Sequence, residues 1–312
     1  MCKNIKYFLV ITVFIQSLNL SFTSKAQQDQ LYIAYPFMPL SVNPAYAGSR
    51  EVINFTAIYR RRPLLSAVNV ATTTQQYLTF DMPIANDKMA IGFQAYNADQ
   101  VFTTIGTGIR GNLGLYGDFA YRITLPNDGK LAFGVQVGVT QVPIAVSVSS
   151  GNVSNAAFNS SLGAGIYYHN DDAYIGVSVL NFNATESYAK PMFVTGGYVF
   201  TINDDFKIKT GALLRRISSL NGNSTDIDLN ATAWIKNKFG IGVWYQNTGS
   251  DLNEKAYLAS FQIQLKKLQL GYAYDFAGSN SNSLVGNEGF HQLMLKYELD
   301  SGNGKSAVFK YF

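Results

Sequence analysis

From about residue 52 onward the chain alternates apolar and polar positions, segment after segment. Leu268, Leu270, Tyr272, Tyr274 and Phe276 alternate with Gln269, Gly271, Ala273 and Asp275. Leu131, Phe133, Val135, Val137 and Val139 do the same against Ala132, Gly134, Gln136 and Gly138. Tyr257, Ala259, Phe261, Ile263 and Leu265 face away from Leu258, Ser260, Gln262 and Gln264; Phe239, Ile241, Val243 and Tyr245 face away from Gly240, Gly242, Trp244 and Gln246. A period of two marks a β-strand whose faces meet different surroundings. Segments of about nine to eleven residues match a tilted strand crossing a bilayer. About fourteen such strands are predicted, centred near Thr56, Leu78, Gly92, Asp118, Gly134, Gly165, Gly176, Thr195, Lys209, Asn230, Gly242, Ser260, Gly271 and Leu295.

The connections sort into two classes that alternate. Short ones fall at 83–87, 124–128, 169–172, 202–205, 236–237 and 266–267. Long ones fall at 61–72, 98–111, 140–161, 181–190, 215–224, 248–254 and 277–287. An all-β, antiparallel up-and-down transmembrane β-barrel has this rhythm, with short periplasmic turns, long external loops and both termini in the periplasm. A soluble sandwich would mix hairpin lengths and would need an apolar core shared by two sheets. Closure is the physical requirement, because in lipid no backbone N–H or C=O can stay unpaired at an open sheet edge. Aromatics near segment ends (Tyr59, Tyr121, Tyr274, Tyr297) suit interfacial girdles. The inward face is rich in Gly, Ala, Ser, Gln and Asn, with charges at Asp118, Asp228 and Lys209, and leaves a lumen open to water or to a plug.

Ahead of the barrel, Lys3 and Lys6 precede an apolar run from Tyr7 to Leu20, and Ser24-Lys25-Ala26 supplies small residues at a cleavage position. This pattern reads as a signal peptide over 1–26. The domain plan is then a periplasmic segment at 27–51, the barrel at 52–300 and a tail at 301–312. The leader holds three lysines and no acid, so the remaining 21 basic residues face 20 acidic ones, a balance with no footing for nucleic acid. The single cysteine, Cys2, lies in the leader, which leaves the mature chain no disulfide framework. Charged residues make up 14%, well below the roughly 25% of soluble domains, while aromatics reach 14%.

Few groups could carry chemistry. His169 and His291 are predicted at opposite ends of the barrel, so neither a catalytic triad nor a two-histidine metal site can be assembled from them. An outer-membrane hydrolase is therefore weakened, and no catalytic, cofactor or metal residue is assigned. The stretch Asn221 to Asp228 faintly resembles a calcium loop without its closing Glu, and reads as a polar external loop. Arg60-Arg61-Arg62 is a candidate rim cluster for an anionic lipid headgroup or partner; Arg215-Arg216 is a second such pair. The strand glycines Gly134, Gly138, Gly163 and Gly165 do not form a phosphate loop, because no helix follows them.

Residues 31–49 are too aromatic for a free linker, with Tyr32, Tyr35, Phe37 and Tyr46 around Asn43-Pro44 and Gly48. Asn43-Pro44 restricts the chain to an extended or turn form, and Gly48 permits a sharp reversal into the first strand. These seven residues are the candidate docking or clasp segment, packed on the periplasmic rim or inside the lumen. The run Asn43-Pro44-Ala45-Tyr46-Ala47-Gly48 resembles the N-terminal signature of the PorP/SprF family of type IX secretion and gliding-associated membrane proteins. The likeness continues through Thr56 to Arg60, Leu78 to Ile84, Asp118 to Ile123 and the ending Lys310-Tyr311-Phe312. It implies an outer-membrane barrel that works with type IX machinery and a secreted surface protein; the barrel reading itself adds contact with outer-membrane lipid, and no cofactor is expected. The rival expectation is a porin-like diffusion channel.

Overall fold

The computed structural model describes residues 35–65, 70–102, 107–126, 128–141, 144–147, 152–153, 158–184, 190–219, 222–247, 255–277, 289–301 and 311–312. The expected signal peptide over 1–26 and Tyr32 lie outside them. Among the described residues sixteen strands follow in chain order: β1 (Ile53–Leu65), β2 (Val70–Ile84), β3 (Met89–Phe102), β4 (Thr107–Thr124), β5 (Lys130–Gln141), β6 (Ile144–Ser147), β7 (Asn152–Val153), β8 (Phe158–His169), β9 (Ala173–Val179), β10 (Lys190–Thr201), β11 (Phe206–Ser219), β12 (Gly222–Ile235), β13 (Phe239–Asn247), β14 (Lys255–Leu265), β15 (Leu268–Ala277) and β16 (His291–Leu299). Each strand pairs antiparallel with its neighbours, and β1 pairs with both β2 and β16, closing the sheet into a fourteen-stranded transmembrane barrel. β6 and β7 form a small ladder that extends from the far end of β4. Every predicted strand centre lies inside one of the fourteen.

The two faces divide as the alternation requires. Val135, Val137, Ile241, Val243 and Leu293 point outward and are each more than half exposed, a band of apolar surface that suits lipid. Inward lie Asp81, Asp118, Gln136, Ser178 and Asp228, all buried. Ile53 and Leu299, at the two ends of the barrel, pair with each other at the end that carries the tight turns. Those turns use left-handed residues, among them Ala85, Asn86 and Asp87, and Lys236 and Asn237.

Several connections expected to be long are strand instead. β1 and β2 stay paired out to Leu65 and Val70, and β11 and β12 out to Ser219 and Gly222. Beyond the bilayer the outward face no longer has to be apolar, so alternation fades while the hydrogen-bonded ladder continues. The calcium-like stretch is corrected with them. Residues 222–228 belong to β12, where Asp226 accepts from Arg215 Nε at 2.7 Å and Asp228 from Gln246 Nε2 at 3.3 Å. Arg215, expected in an external loop, is buried.

Candidate functional site

Residues 35–52 fold inside the barrel at its tight-turn end. Two single-turn 3₁₀ helices, Pro39–Ser41 and Pro44–Tyr46, each begin on a proline, whose fixed φ and missing N–H suit a first helical position. Asn43, held extended at φ −147° and ψ 112° before Pro44, caps the second turn by accepting from Ala45 N at 3.0 Å. Gly48 sits at φ +68°, and a Cβ there would stand 2.5 Å from the Ala90 Cβ, so both backbone angle and space require glycine.

The turns bond within themselves, and several remaining polar groups of this segment find partners on the wall. Asn43 Nδ2 donates to Ile166 O at 3.0 Å, and Ser178 Oγ donates to Val42 O. Gln94 Nε2 donates to Leu40 O at 3.0 Å, and Gly48 N to Asp81 Oδ2 at 2.8 Å. Arg122 Nη2 donates to Ala47 O at 2.8 Å. Two ion pairs close the segment onto the wall, Arg50 with Glu298 and Glu51 with Lys130. Burial opposes the Arg50 charge, but Glu298 and Tyr46 more than offset it and hold the guanidinium above its ordinary range. The aromatics fill what the polar groups leave. Tyr35 accepts from Asn230 Nδ2 at 2.6 Å, the Phe37 ring lies 4.9 Å from that of Trp244, and Tyr46 meets Tyr167 edge-on at 5.5 Å. Burial pushes the Tyr35 and Tyr46 phenols above their usual value.

The wall is shaped to receive this segment. A Cβ on Gly134 would lie 2.2 Å from Ala45 N, and one on Gly165 would lie 2.2 Å from Asn43 Oδ1. The strand glycines and the Asn-Pro-Ala turn are thus two halves of one contact. Tyr311 and Phe312 enter the same mouth. Lys209 Nζ donates to Tyr311 O at 2.6 Å and lies 4.8 Å from the Phe312 ring centre, which packs 4.7 Å from Tyr174. Tyr311 O–H donates to Asn237 Oδ1, and burial pushes its phenol up to about 12.

The structure therefore brings Tyr35, Phe37, Asn43, Pro44, Tyr46 and Gly48 together within the lumen. The arginine cluster is not brought together. Neighbouring residues on a strand point to opposite faces, so Arg60 turns inward and Arg61 outward; the Arg62 side chain lies outside the described residues. Arg60 is 1% exposed, which removes it from an exposed rim. It donates to Gln75 Oε1 at 2.8 Å, stacks on Phe290 at 4.3 Å and lies 3.9 Å from Asp275. His169 is buried at the tight-turn end and His291 is exposed at the other, bonded through Nδ1 to the Tyr272 hydroxyl at 2.8 Å. Among the described residues no group of three His, Cys, Asp or Glu could hold a metal. Sequence reasoning missed Arg50, Glu51, Lys130, Arg122 and Glu298; Lys130, Arg122 and Glu298 carried one signal, charge near a strand end on the inward parity, while Arg50 and Glu51 precede β1 and carried none.

Comparison with solved structures finds barrels of low identity. A Pseudomonas aeruginosa FadL homologue is 12% identical, with 90% of this chain and 95% of that chain covered and a TM-score of 0.48. Salmonella typhi OmpF in complex with daunomycin is 12% identical over 80% of this chain and 98% of that one, TM-score 0.40. A double mutant of the Rh. blastica porin is 9% identical over 79% and 99%, TM-score 0.39. Comparison with curated proteins yields no match. A family model described as type IX secretion system membrane protein PorP/SprF matches residues 24–297. With that match running from residue 24 into the final strand, and with its Asn-Pro-Ala-Tyr-Ala-Gly run seated in a closed barrel, the chain belongs to the PorP/SprF family of type IX secretion system membrane proteins.

Proposed function

We propose that the protein is a non-enzymatic outer-membrane barrel that supports secretion or surface attachment of a partner protein through the type IX system. Its tight-turn end and both chain ends would face the periplasm. The observation that supports this reading is the filled lumen. A diffusion channel needs a continuous water path, whereas residues 35–52 cross this lumen and bond to the wall on both sides, from Ile166 on β8 to Glu298 on β16. A barrel that does not conduct serves better as an anchor. The mouth formed by residues 35–52, the tight turns and Tyr311–Phe312 offers the machinery a rigid docking face, and the opposite end is left to the secreted surface protein. Outward-facing Arg61 is the candidate contact for an anionic headgroup of outer-membrane lipid.

Deleting residues 31–48 tests both halves. We expect a folded barrel that conducts in planar bilayers and no longer supports export of its partner. If export persists in the folded deletion, the docking role is wrong. If the intact protein already conducts stably, the channel reading replaces this one.

A further inference from the structure

Between the inserted segment and the wall lies a cavity of about 40 Å³, and its lining is unbalanced in charge. Three of its twelve lining residues are basic (Arg50, Lys209 and Lys296) and none is acidic. Arg50 is committed to Glu298. The Lys209 ammonium meets a carbonyl and an aromatic ring, neither of which carries a counter-charge. Lys296 is 8% exposed and makes no ion pair among the described residues, and the nearby carboxylates are held elsewhere, Glu298 by Arg50 and Asp81 by Gly48 N and Asn54. Trp244 is 4% exposed, and its indole N–H has no acceptor among the described residues. A largely buried ammonium with no ion-pair partner and a buried N–H donor without an acceptor are both unfavourable. Here they converge on one space that could hold the missing acceptor.

We propose that this cavity binds a small oxyanion, phosphate-sized or smaller, between Lys296 and Lys209 with the Trp244 indole N–H as a further donor. The space is about three times the minimum for one water, enough for a compact oxyanion and too small for an organic phosphate ester. Several acceptor oxygens suit the mixed donors better than a single halide would, since Thr232 and Gln262 also line the space. The inference does not depend on the secretion role, because an anchor without a partner would bind the ion equally well.

Both tryptophans of the chain, Trp234 and Trp244, line the cavity, so intrinsic fluorescence reports on it directly. Purified full-length barrel in detergent is titrated with sodium phosphate against sodium chloride at matched ionic strength. We expect a saturable change with phosphate alone, unchanged in Lys236→Gln, an exposed turn position, and at least roughly tenfold weaker in Lys296→Gln and Lys209→Gln, by loss of a charge-assisted contact. No saturable change, an equal change with chloride, or an unaltered midpoint in both lysine variants would overturn the proposal. Should the variants fail to fold, thermal unfolding of the unmodified protein decides. A midpoint that rises saturably at low phosphate concentration over matched chloride supports the site, since a ligand of the folded state alone stabilises it, whereas an unmoved midpoint, or one that climbs linearly with salt as exclusion of phosphate from the surface produces, refutes it.

Discussion

One methyl group at Gly134 should drive residues 43–48 off the barrel wall. The Cβ of Gly134→Ala would lie 2.2 Å from Ala45 N, 2.5 Å from Ala45 Cα and 2.5 Å from the Pro44 carbonyl carbon. These are backbone atoms of a turn fixed by Pro44 and the Asn43 cap, so no flexible side chain can swing away. Overpacking of this kind costs about 1–3 kcal/mol, and withdrawing the turn forfeits the Asn43–Ile166 hydrogen bond, about 1 kcal/mol more. A combined shift of about 2–4 kcal/mol lowers the ratio of seated to unseated segment roughly 30- to 1000-fold, at about 1.4 kcal/mol per tenfold. Gly117→Ala is the matched control on the outward face, where an added Cβ meets nothing within 4 Å. Amide hydrogen exchange at 43–48 measures the seating free energy directly, and single-channel recording shows whether the lumen opens. Protection of 43–48 within a few-fold of the unmodified protein, in a folded and silent Gly134→Ala barrel, would refute the steric account.

Arg50→Ala should be more damaging than its size suggests, by about 3–5 kcal/mol, because it leaves Glu298 buried and uncompensated; Arg50→Leu with Glu298→Leu should recover most of that loss in denaturant titrations. Raising pH should unseat the segment. The buried Tyr35 and Tyr46 phenols titrate higher when seated than when free, so their contribution is complete below the ordinary tyrosine value near 10 and is lost as pH climbs above it. Tryptophan emission, which senses the Phe37–Trp244 contact, should change above about pH 10 in the unmodified protein and less steeply in Tyr46→Phe; a flat profile to about pH 12 would contradict the burial argument. Arg60→Ala should lower barrel stability by about 1–3 kcal/mol through the abandoned Gln75 and Asp275, while Arg61→Ala should stay within about 0.5 kcal/mol. Equal losses in the two would mean that the strand alternation has been misassigned there.

The fold was legible because a barrel wall has one chemical rule per residue, lipid outside and polar lumen inside, and that rule repeats every second position. Val135 and Gln136 declare their faces without help from any other strand. Strand ends were not legible, because the ladder between β1 and β2 outlasts the apolar band that announces it. The Asn43-Pro44 run was recognisable as distinctive and as a turn, but its seat depends on Ile166 and Gly134, which only the closed ring brings beside it. Arg60 shows the same limit. Three consecutive arginines look like a patch in one dimension, whereas its Asp275 partner is more than two hundred positions away.

The ion pair between Arg50 and Glu298 joins residues 248 positions apart in the chain. Its acidic member lies on β16, the strand that also seals the ring against β1. The segment nearest the start of the barrel therefore has no complete seat until the end of the barrel is in place. Contacts of such long range form late, because the loop entropy must be spent before they return anything. Until the strands that carry Tyr167, Asn230 and Trp244 are in place, Tyr46, Tyr35 and Phe37 lack the partners that cover them. A barrel missing its final strand lacks the Glu298 partner of Arg50, so protease resistance of residues 35–52 should be higher in finished molecules than in stalled ones.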